Sequence, residues 1–375
     1  MIGKKATSAA RSAAKAASAP PGGELTQRVQ SVDALRGLIM IVMALDHTRD
    51  YFHSAALLFQ PDDLTRTTAA IFFTRWITHF CAPVFMFTAG MGAYFLLQRG
   101  RTKPQLSVFL VTRGLWLMFL ELSVVRFAMT WGQGMLVVTV LWGLGISMVA
   151  LALLIYLPAP ILALLSLVVV AMPHDPVAMV QIRGTMAVFS YPLVPWFAVM
   201  ALGFCFGEVF TWHKRWMAPI GVGLTAAFVL LRLINVYGEP SRWTTGLLSF
   251  LRVTKYPPSL DFVLMTLGPA ILLLAWLDKK QFAPKNPLLI FGRVPLFYFL
   301  THLYVIHLLT IPLAWLRYGR PIVINPIVNA YPQGYGYPLG TVYLIWVGIV
   351  IAMYPLCLWF AGLKQRRRDW WLSYL

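Results

Sequence analysis

Residues 31–50, SVDALRGLIMIVMALDHTRD, decide the class of fold to which this chain belongs. An apolar run from Gly37 to Leu45 is flanked by Asp33 and Arg36 on one side and by Asp46 on the other. With its neighbours, the run approaches the ~20 residues that cross a bilayer. In lipid such a segment must be helical, because its backbone groups have no water to bond.

The rest of the chain repeats this pattern. The sequence is 59% hydrophobic and only 12% charged, whereas a globular domain has roughly 25% charged residues, so soluble multidomain and disordered classes are excluded. The fold class predicted is an all-α, polytopic transmembrane helix bundle with ten apolar segments: 34–52, 70–97, 107–127, 134–156, 160–172, 191–210, 218–237, 260–277, 288–316 and 340–363. The fifth is too short to span upright, and Pro295 and Pro312 predict a kink in the ninth.

Basic residues predict the orientation of the bundle. Residues 1–30 lack an apolar core and are rich in Ala and Ser, which predicts a disordered basic cytoplasmic tail before one membrane domain over residues 31–370. The net charge of +18 comes mainly from short segments between apolar runs, which indicates a lipid bilayer and not a nucleic acid as partner. One side of the bundle holds 17 Lys and Arg residues against 7 on the other, so both termini are expected in the cytoplasm.

The first segment also carries the strongest chemical signal. Arg36 and His47 are eleven residues apart, almost a whole number of turns, so they share one helix face about 16 Å apart along the axis. Met40 and Met43 lie between them on that face, and Asp50 follows one turn after His47. Asp50 is therefore expected to hold the imidazole in one tautomer, whereas Asp46 is expected to pair with Arg49 at i,i+3.

Two further segments add polar residues within the membrane. Arg75 and His79 share a face at i,i+4, as do Tyr298 and His302. His307 is interpreted as a buried histidine satisfied by a neighbouring carbonyl or hydroxyl. The histidines are spread over different helices without a ligand spacing, so no metal site is predicted. Gly203-Phe-Cys-Phe-Gly207 predicts close packing of two helices.

These residues leave several interpretations open. The group from Asp46 to Asp50 is also what a helix end meeting water would show. Arg, Asp and His within membrane helices also line the substrate and proton paths of transporters. A permease, an enzyme and a structural component of an envelope assembly therefore all fit the pattern at this point.

Three motifs carry a resemblance to a known family: Val32-Asp33-Ala-Leu-Arg36-Gly37, Tyr191-Pro-Leu-Val-Pro195-Trp-Phe with its two following glycines, and Asn286 to Gly292 continuing to His302. With them, residues 28–370 resemble the heparan-alpha-glucosaminide N-acetyltransferase catalytic-domain family, including its bacterial members, within the transmembrane acyltransferase group. The Arg36-x10-His47 spacing matches that of the membrane acyltransferases that O-acetylate bacterial surface polysaccharides. Two features depart from the family: His53 competes with His47, because animal members place their proposed catalytic histidine in the following loop, and Val294 stands where relatives often have asparagine.

The resemblance implies a multi-pass enzyme of the bacterial inner membrane. It would pass an acetyl or other acyl group from cytoplasmic acetyl-CoA, or another acyl-CoA, to a sugar or glycan acceptor on the far side. The catalytic candidates are His47, as general base or acyl carrier, with Asp50 orienting it and His53 as its rival. Arg36 and Arg75 are the expected acyl-CoA-binding residues, and His79 and His302 the expected acceptor-binding residues. A homodimer is left open.

Overall fold

The computed structural model describes residues 29–131, 136–174, 179–182, 185–325, 330–367, 369 and 372. All of the predicted tail over residues 1–30 except residues 29 and 30 lies outside the described residues, as does residue 370 at the end of the predicted domain. The described helices are α1 (Gln30–Phe52), α2 (Ala69–Thr78), α3 (Cys81–Gln98), α4 (Lys103–Leu120), α5 (Arg126–Thr130), α6 (Val140–Leu154), α7 (Ala159–Ala171), α8 (Leu193–Trp212), α9 (Met217–Ile234), α10 (Gly246–Leu251), α11 (Leu260–Leu277), α12 (Pro287–Arg293), α13 (Pro295–Tyr318) and α14 (Leu339–Arg366).

The helical membrane architecture is confirmed, but the count of ten spans is not. Within the described part of the chain, seven helical stretches are long and apolar enough to cross a membrane: Ala69–Gln98, Lys103–Thr130, Leu193–Trp212, Lys214–Ile234, Leu260–Leu277, Pro295–Tyr318 and Leu339–Arg366. The first stretch runs through α2 and α3, and the second through α4 and α5. Helix α1 has 23 residues, but charged side chains near both of its ends make it too polar for this group. Helices α6 and α7 are apolar but have only 15 and 13 residues.

Two predicted segments are broken helices. Segment 288–316 divides into α12 and α13 at Val294, directly before Pro295, whereas Pro312 lies inside the continuous α13. Proline lacks an N–H group and disfavours a helical conformation at the residue before it, which explains the break and confirms the kink expected at Pro295. Segment 70–97 divides into α2 and α3, and His79 is the residue that ends α2.

A small sheet departs from the all-helical prediction. Strands β1 (Leu136–Val138), β2 (Met179–Ile182) and β3 (Thr185–Phe189) form it in the order β1-β3-β2. Strand β3 pairs in parallel with β1 and antiparallel with β2. The prediction missed β1 because its three residues continue directly into the apolar run of α6, and an apolar run alone does not distinguish a strand from a helix.

Glycines allow α1, α3, α8 and α12 to approach one another closely. A Cβ atom added to Gly37 would lie 1.9 Å from the carbonyl oxygen of Leu288, and one added to Gly292 would lie 1.7 Å from that of Asp33. A Cβ atom at Gly203 would lie 2.0 Å from the carbonyl oxygen of Phe87, so the close packing predicted from the GxxxG motif is confirmed. These contacts hold α1 against α12 and α8 against α3.

The loops after α8 and α11 carry basic residues that belong to the 17 counted on one side of the bundle. Both loops meet the start of α1 at one end. The hydroxyl of Ser31, at the start of α1, donates to Asp278 after α11 (3.0 Å), and Lys214 after α8 pairs with the same carboxylate (2.9 Å). We call this the Arg36 end. At the opposite, His47 end, the residue after α1 pairs with Tyr337 of the loop before α14.

Candidate functional site

Two cavities lie along α1, and the residues of its predicted polar face line both. The Arg36 cavity, of about 340 Å³, is lined by Arg36, Thr88 and Arg113 and otherwise by apolar residues of α1, α3, α4, α6 and α13. The His47 cavity, of about 230 Å³, lies further along the helix. Met40 lines the first cavity, whereas Met43 and Asp50 line the second with His47. Residues that the helical period places on one face of α1 therefore line both cavities.

A shared wall separates the two cavities. Phe85 of α3, Val140 of α6 and Phe299 of α13 line both of them. The wall is anchored at α6, because the carboxylate of Glu121 accepts a hydrogen bond from the backbone N–H of Thr139 (2.6 Å). The cavities therefore meet at three apolar side chains.

Arg36 is held in place by α3. Its Nε donates to the hydroxyl of Thr88 (3.1 Å), and a terminal nitrogen donates to the carbonyl of the same residue. Arg113 of α4 lines the same cavity. Two guanidinium groups thus line a largely apolar space.

His47 is hydrogen-bonded to a second histidine. Its Nδ1 lies 2.7 Å from Nε2 of His302, and Nδ1 of His302 lies 2.9 Å from the carbonyl oxygen of Tyr298. A carbonyl oxygen only accepts, so Nδ1 of neutral His302 carries its proton and Nε2 accepts one from Nδ1 of His47. We therefore assign neutral His47 a proton on Nδ1 and a free electron pair on Nε2, the arrangement of a general base.

Asp50 lies in the His47 cavity, but a different residue contacts Nδ1 of His47. The carboxylate of Asp50 accepts from Arg49 (2.5 Å), and the orienting position expected for it is occupied by His302. His302 was expected to bind the acceptor. It is fully buried, contacts Nδ1 of His47, and does not line the His47 cavity itself.

A network of charges surrounds His47. The carboxylate of Asp46 accepts from Arg75 (2.7 and 2.9 Å) and from the hydroxyl of Thr78 (3.0 Å). Arg49 lies 3.0 Å from the same carboxylate, so the predicted i,i+3 pair is confirmed. Arg75 was expected to bind acyl-CoA. It lines the His47 cavity and not the Arg36 cavity.

Sequence reasoning assigned no site role to Lys255 or Tyr256, in the loop before α11. Lys255 and Tyr256 line the His47 cavity, together with Tyr191, whose hydroxyl lies 3.4 Å from that of Tyr256. In the sequence analysis Lys255 is only one of the seven basic residues counted on the far side of the bundle. The signal that was available is its position beside Tyr256-Pro257-Pro258, a rigid turn that carries the lysine inward.

A third cavity, the vestibule, adjoins the His47 cavity. It has about 300 Å³ and shares Arg75, Lys255 and Tyr256 with the His47 cavity. His79 lines it, is buried, and has an Nδ1 atom without a hydrogen-bond partner. Glu239 lines it too and accepts from the hydroxyl of Thr254 (2.8 Å); burial raises the pKa of Glu239, although these hydrogen bonds oppose the shift.

The rival histidine, His53, lies outside these three cavities. It ends α1, is only 3% exposed, and pairs through its backbone with Tyr337. Burial, and secondly the charge of Arg49, lower the pKa of its imidazole. A neutral, buried ring at a helix end fits a structural role as well as a chemical one.

The remaining buried histidine is satisfied by its neighbours. Nδ1 of His307 lies 2.7 Å from the carbonyl oxygen of Ala128, and the indole N–H of Trp131 donates to its Nε2 (2.8 Å). The interpretation of His307 as a satisfied core residue is confirmed. In the described ranges, no group of three or more His, Cys, Asp or Glu residues is placed to hold a metal ion.

Comparison with known families gives one match. Residues 28–243 match the family model described as heparan-alpha-glucosaminide N-acetyltransferase, catalytic. The matched range includes Arg36, His47 and Arg75, whereas Lys255 and His302 lie beyond it. A search of curated proteins finds no match.

Proposed function

We propose, from the premise that the chain belongs to the heparan-alpha-glucosaminide N-acetyltransferase catalytic family, that it transfers an acetyl or other acyl group across a membrane. The donor is acyl-CoA bound from the cytoplasm, with acetyl-CoA as the expected co-substrate. The acceptor is a hydroxyl or amine of a sugar or glycan on the opposite side. The proposed location is a bacterial inner membrane.

The observation that carries this proposal is the arrangement of the two cavities along α1. Arg36 and His47 lie on opposite sides of one wall, about 16 Å apart along the helix axis. The pantetheine arm of CoA has as many chain atoms as four to five extended residues, which reach about 15 Å. An arm whose diphosphate lies near Arg36 therefore brings its thioester to the wall beside His47.

The Arg36 cavity fits the donor. Its apolar lining suits a pantetheine arm, and the guanidinium groups of Arg36 and Arg113 offer charge-assisted hydrogen bonds to phosphate oxygens. At about 340 Å³ the cavity is too small for all of CoA, so the nucleotide is expected at the Arg36 end, outside the bundle.

The His47 cavity fits the transfer step. The acceptor hydroxyl or amine gives its proton to Nε2 of His47 while its oxygen or nitrogen attacks the thioester carbonyl carbon. The carbon–sulfur bond then breaks, and the thiolate of CoA takes the proton from His47. His302 accepts a hydrogen bond from the resulting imidazolium. An acyl-imidazole formed at Nε2 and then attacked by the acceptor uses the same atoms.

The vestibule fits the acceptor. It joins the His47 cavity at Arg75, Lys255 and Tyr256, and its lining is rich in hydrogen-bonding groups. His79 offers a buried Nδ1 atom that has no partner among the described residues. We therefore place Arg75 and His79 with the acceptor, and His302 with the base.

Acetyl transfer by purified protein tests this function directly. Protein in detergent is given acetyl-CoA labelled in the acetyl group and an envelope glycan extract, with His47→Ala as the matched control. Label in the glycan with wild-type protein only is the expected result. Counterflow of a sugar in proteoliposomes without any acyl transfer would instead favour a permease.

Reporter fusions test the orientation. Fusions after Gly100 and after Lys280 are expected to report cytoplasm, and one near Tyr335 the far side, as the 17-to-7 distribution of basic residues predicts. A cytoplasmic signal near Tyr335 would contradict transfer in the proposed direction.

A further inference from the structure

Four of the five charged groups around His47 balance one another. Asp46 pairs with Arg75 and Arg49, and Asp50 pairs with Arg49. Two carboxylates thus face two guanidinium groups. The fifth charge is on Lys255, whose side chain is hydrogen-bonded to that of Tyr256. Within the described ranges no carboxylate lies within 4 Å of Nζ of Lys255.

Lys255 is buried, and this makes the missing carboxylate significant. The residue is 8% exposed, and its Nζ lies 5.0 Å from the centre of the Tyr256 ring. An ammonium group removed from water without a counter-charge costs free energy, and such residues near the membrane interior mark functional sites. A negative charge that arrives with the substrates, or forms during the reaction, would balance it.

The position of Lys255 favours a charge formed during the reaction. It lines the same cavity of about 230 Å³ as His47. A sphere of that volume is only about 8 Å across, so a thioester that reaches His47 fills much of the cavity. Arg75, the other cation in the lining, is already held by two bonds to Asp46.

We propose that Lys255 is a further catalytic residue, whose ammonium group binds the acyl carbonyl oxygen and stabilises its negative charge during transfer. This inference rests on the proposed acyltransferase function. As the acceptor attacks, the carbonyl π electrons move to oxygen, and Lys255 donates a hydrogen bond to that oxyanion. When the carbon–sulfur bond breaks, the carbonyl re-forms and Lys255 keeps its proton, so the proton balance through His47 is unchanged.

The test compares Lys255→Met with wild type, using acetyl-CoA as donor and glucosamine, which has no acidic group, as acceptor. Removing one oxyanion donor typically costs 10²–10³ in kcat. We expect a loss of that size in kcat, with KM for glucosamine and Kd for acetyl-CoA within about twofold of wild type. Lys255→Arg, which keeps the charge, is expected to recover part of the loss.

Folding is checked by size-exclusion chromatography and by Tm, and Lys280→Met, in the loop after α11 and outside both cavities, is the matched control. An unchanged kcat in folded Lys255→Met would overturn the proposal. So would a raised KM with unchanged kcat that appears only for acidic glycan acceptors, because Lys255 would then bind a charge on the acceptor. If wild type transfers no acetyl group to glucosamine or to the envelope extract, the acyltransferase function itself fails.

Discussion

The two cavities along α1 share a helix and a wall, yet their linings differ in the number and kind of charged side chains. The Arg36 cavity is the larger, and its lining is apolar apart from one hydroxyl residue and two guanidinium groups. The His47 cavity is smaller and is bordered by carboxylates, cations and tyrosine hydroxyls. In the proposed reaction, one end of α1 holds a long, mostly apolar group, and the other end stabilises charges that change.

This difference separates binding from chemistry along a single helix. A binding defect is expected from changes in the Arg36 cavity, and a rate defect from changes in the His47 cavity. Single substitutions in the full-length protein test that division.

His47→Ala is expected to have the largest effect. Loss of a general base typically lowers the rate 10²–10⁴-fold, and more if the histidine carries the acyl group. Binding of acetyl-CoA should remain, because in the proposed mode the Arg36 cavity holds the pantetheine arm and binds the phosphates, and only the thioester reaches His47. Turnover and an acetyl-CoA binding isotherm, measured on the same preparation, check both parts. Weakened binding of acetyl-CoA with a proportionate loss of turnover would contradict the assignment of binding and chemistry to different cavities.

His302→Ala is expected to lower kcat up to about a hundredfold. The variant loses the hydrogen bond that fixes the tautomer of His47 and stabilises its imidazolium, and a bond to a charged group contributes about 1.5–3 kcal/mol. His302→Gln, whose amide oxygen can accept from Nδ1 of His47, should recover most of the rate. The pH–rate profile of His302→Ala should also shift. Equal rates for the two variants would show that the second histidine does not orient the first.

Arg36→Ala is expected to weaken acyl-CoA binding roughly ten- to a hundredfold, the cost of a charge-assisted hydrogen bond. The rate at saturating donor should change little, because Arg36 lies too far from the thioester. Titration with acetyl-CoA and with pantetheine separates the phosphates from the arm, and only the first affinity should fall. An unchanged isotherm with lost turnover would assign Arg36 a structural role through Thr88.

His53→Gln is expected to have the smallest effect, on stability and not on turnover. The pKa of His53 is lowered in the folded protein, so below about pH 6.5 the unfolded chain binds more protons. This contribution therefore destabilises the fold as pH falls below 6.5 and vanishes above it. The fall in Tm between pH 7.5 and 5.5 should be smaller in the variant, by on the order of 2 °C.

The same variant decides between the two catalytic candidates. Loss of turnover in folded His53→Gln, with activity retained in His47→Ala, would move the chemistry out of the His47 cavity. It would also make the match in Arg36–His47 spacing coincidental.

Features that depend on one helix could be predicted from the sequence. The α-helical period alone places Arg36, Met40, Met43 and His47 on one face, and the structure lines both cavities with them. The pairing of Asp46 with Arg49 and the close approach at Gly203 follow from local spacing in the same way.

Features that join distant segments could not be predicted. His302 reaches His47 across 255 residues of sequence, because the close contacts of α1 with α12 place the start of α13 beside it. Lys255 enters the site through a loop, where no helical period applies. Asp50 was assigned to His47 by spacing, but its immediate neighbour Arg49 provides a stronger partner at 2.5 Å.

The wall of Phe85, Val140 and Phe299 has an electrical consequence. Moving one elementary charge through a membrane potential of 100 mV involves about 2.3 kcal/mol. In the proposed reaction the acyl group, which moves as an acylium equivalent, and the acceptor's proton cross these three side chains in opposite directions. No net charge is therefore moved, while the phosphates of CoA stay on one side and the acceptor on the other. The step then does no work against the membrane potential, and the bilayer stays insulated throughout, so transfer in sealed vesicles should run at the same rate whether or not they are energised.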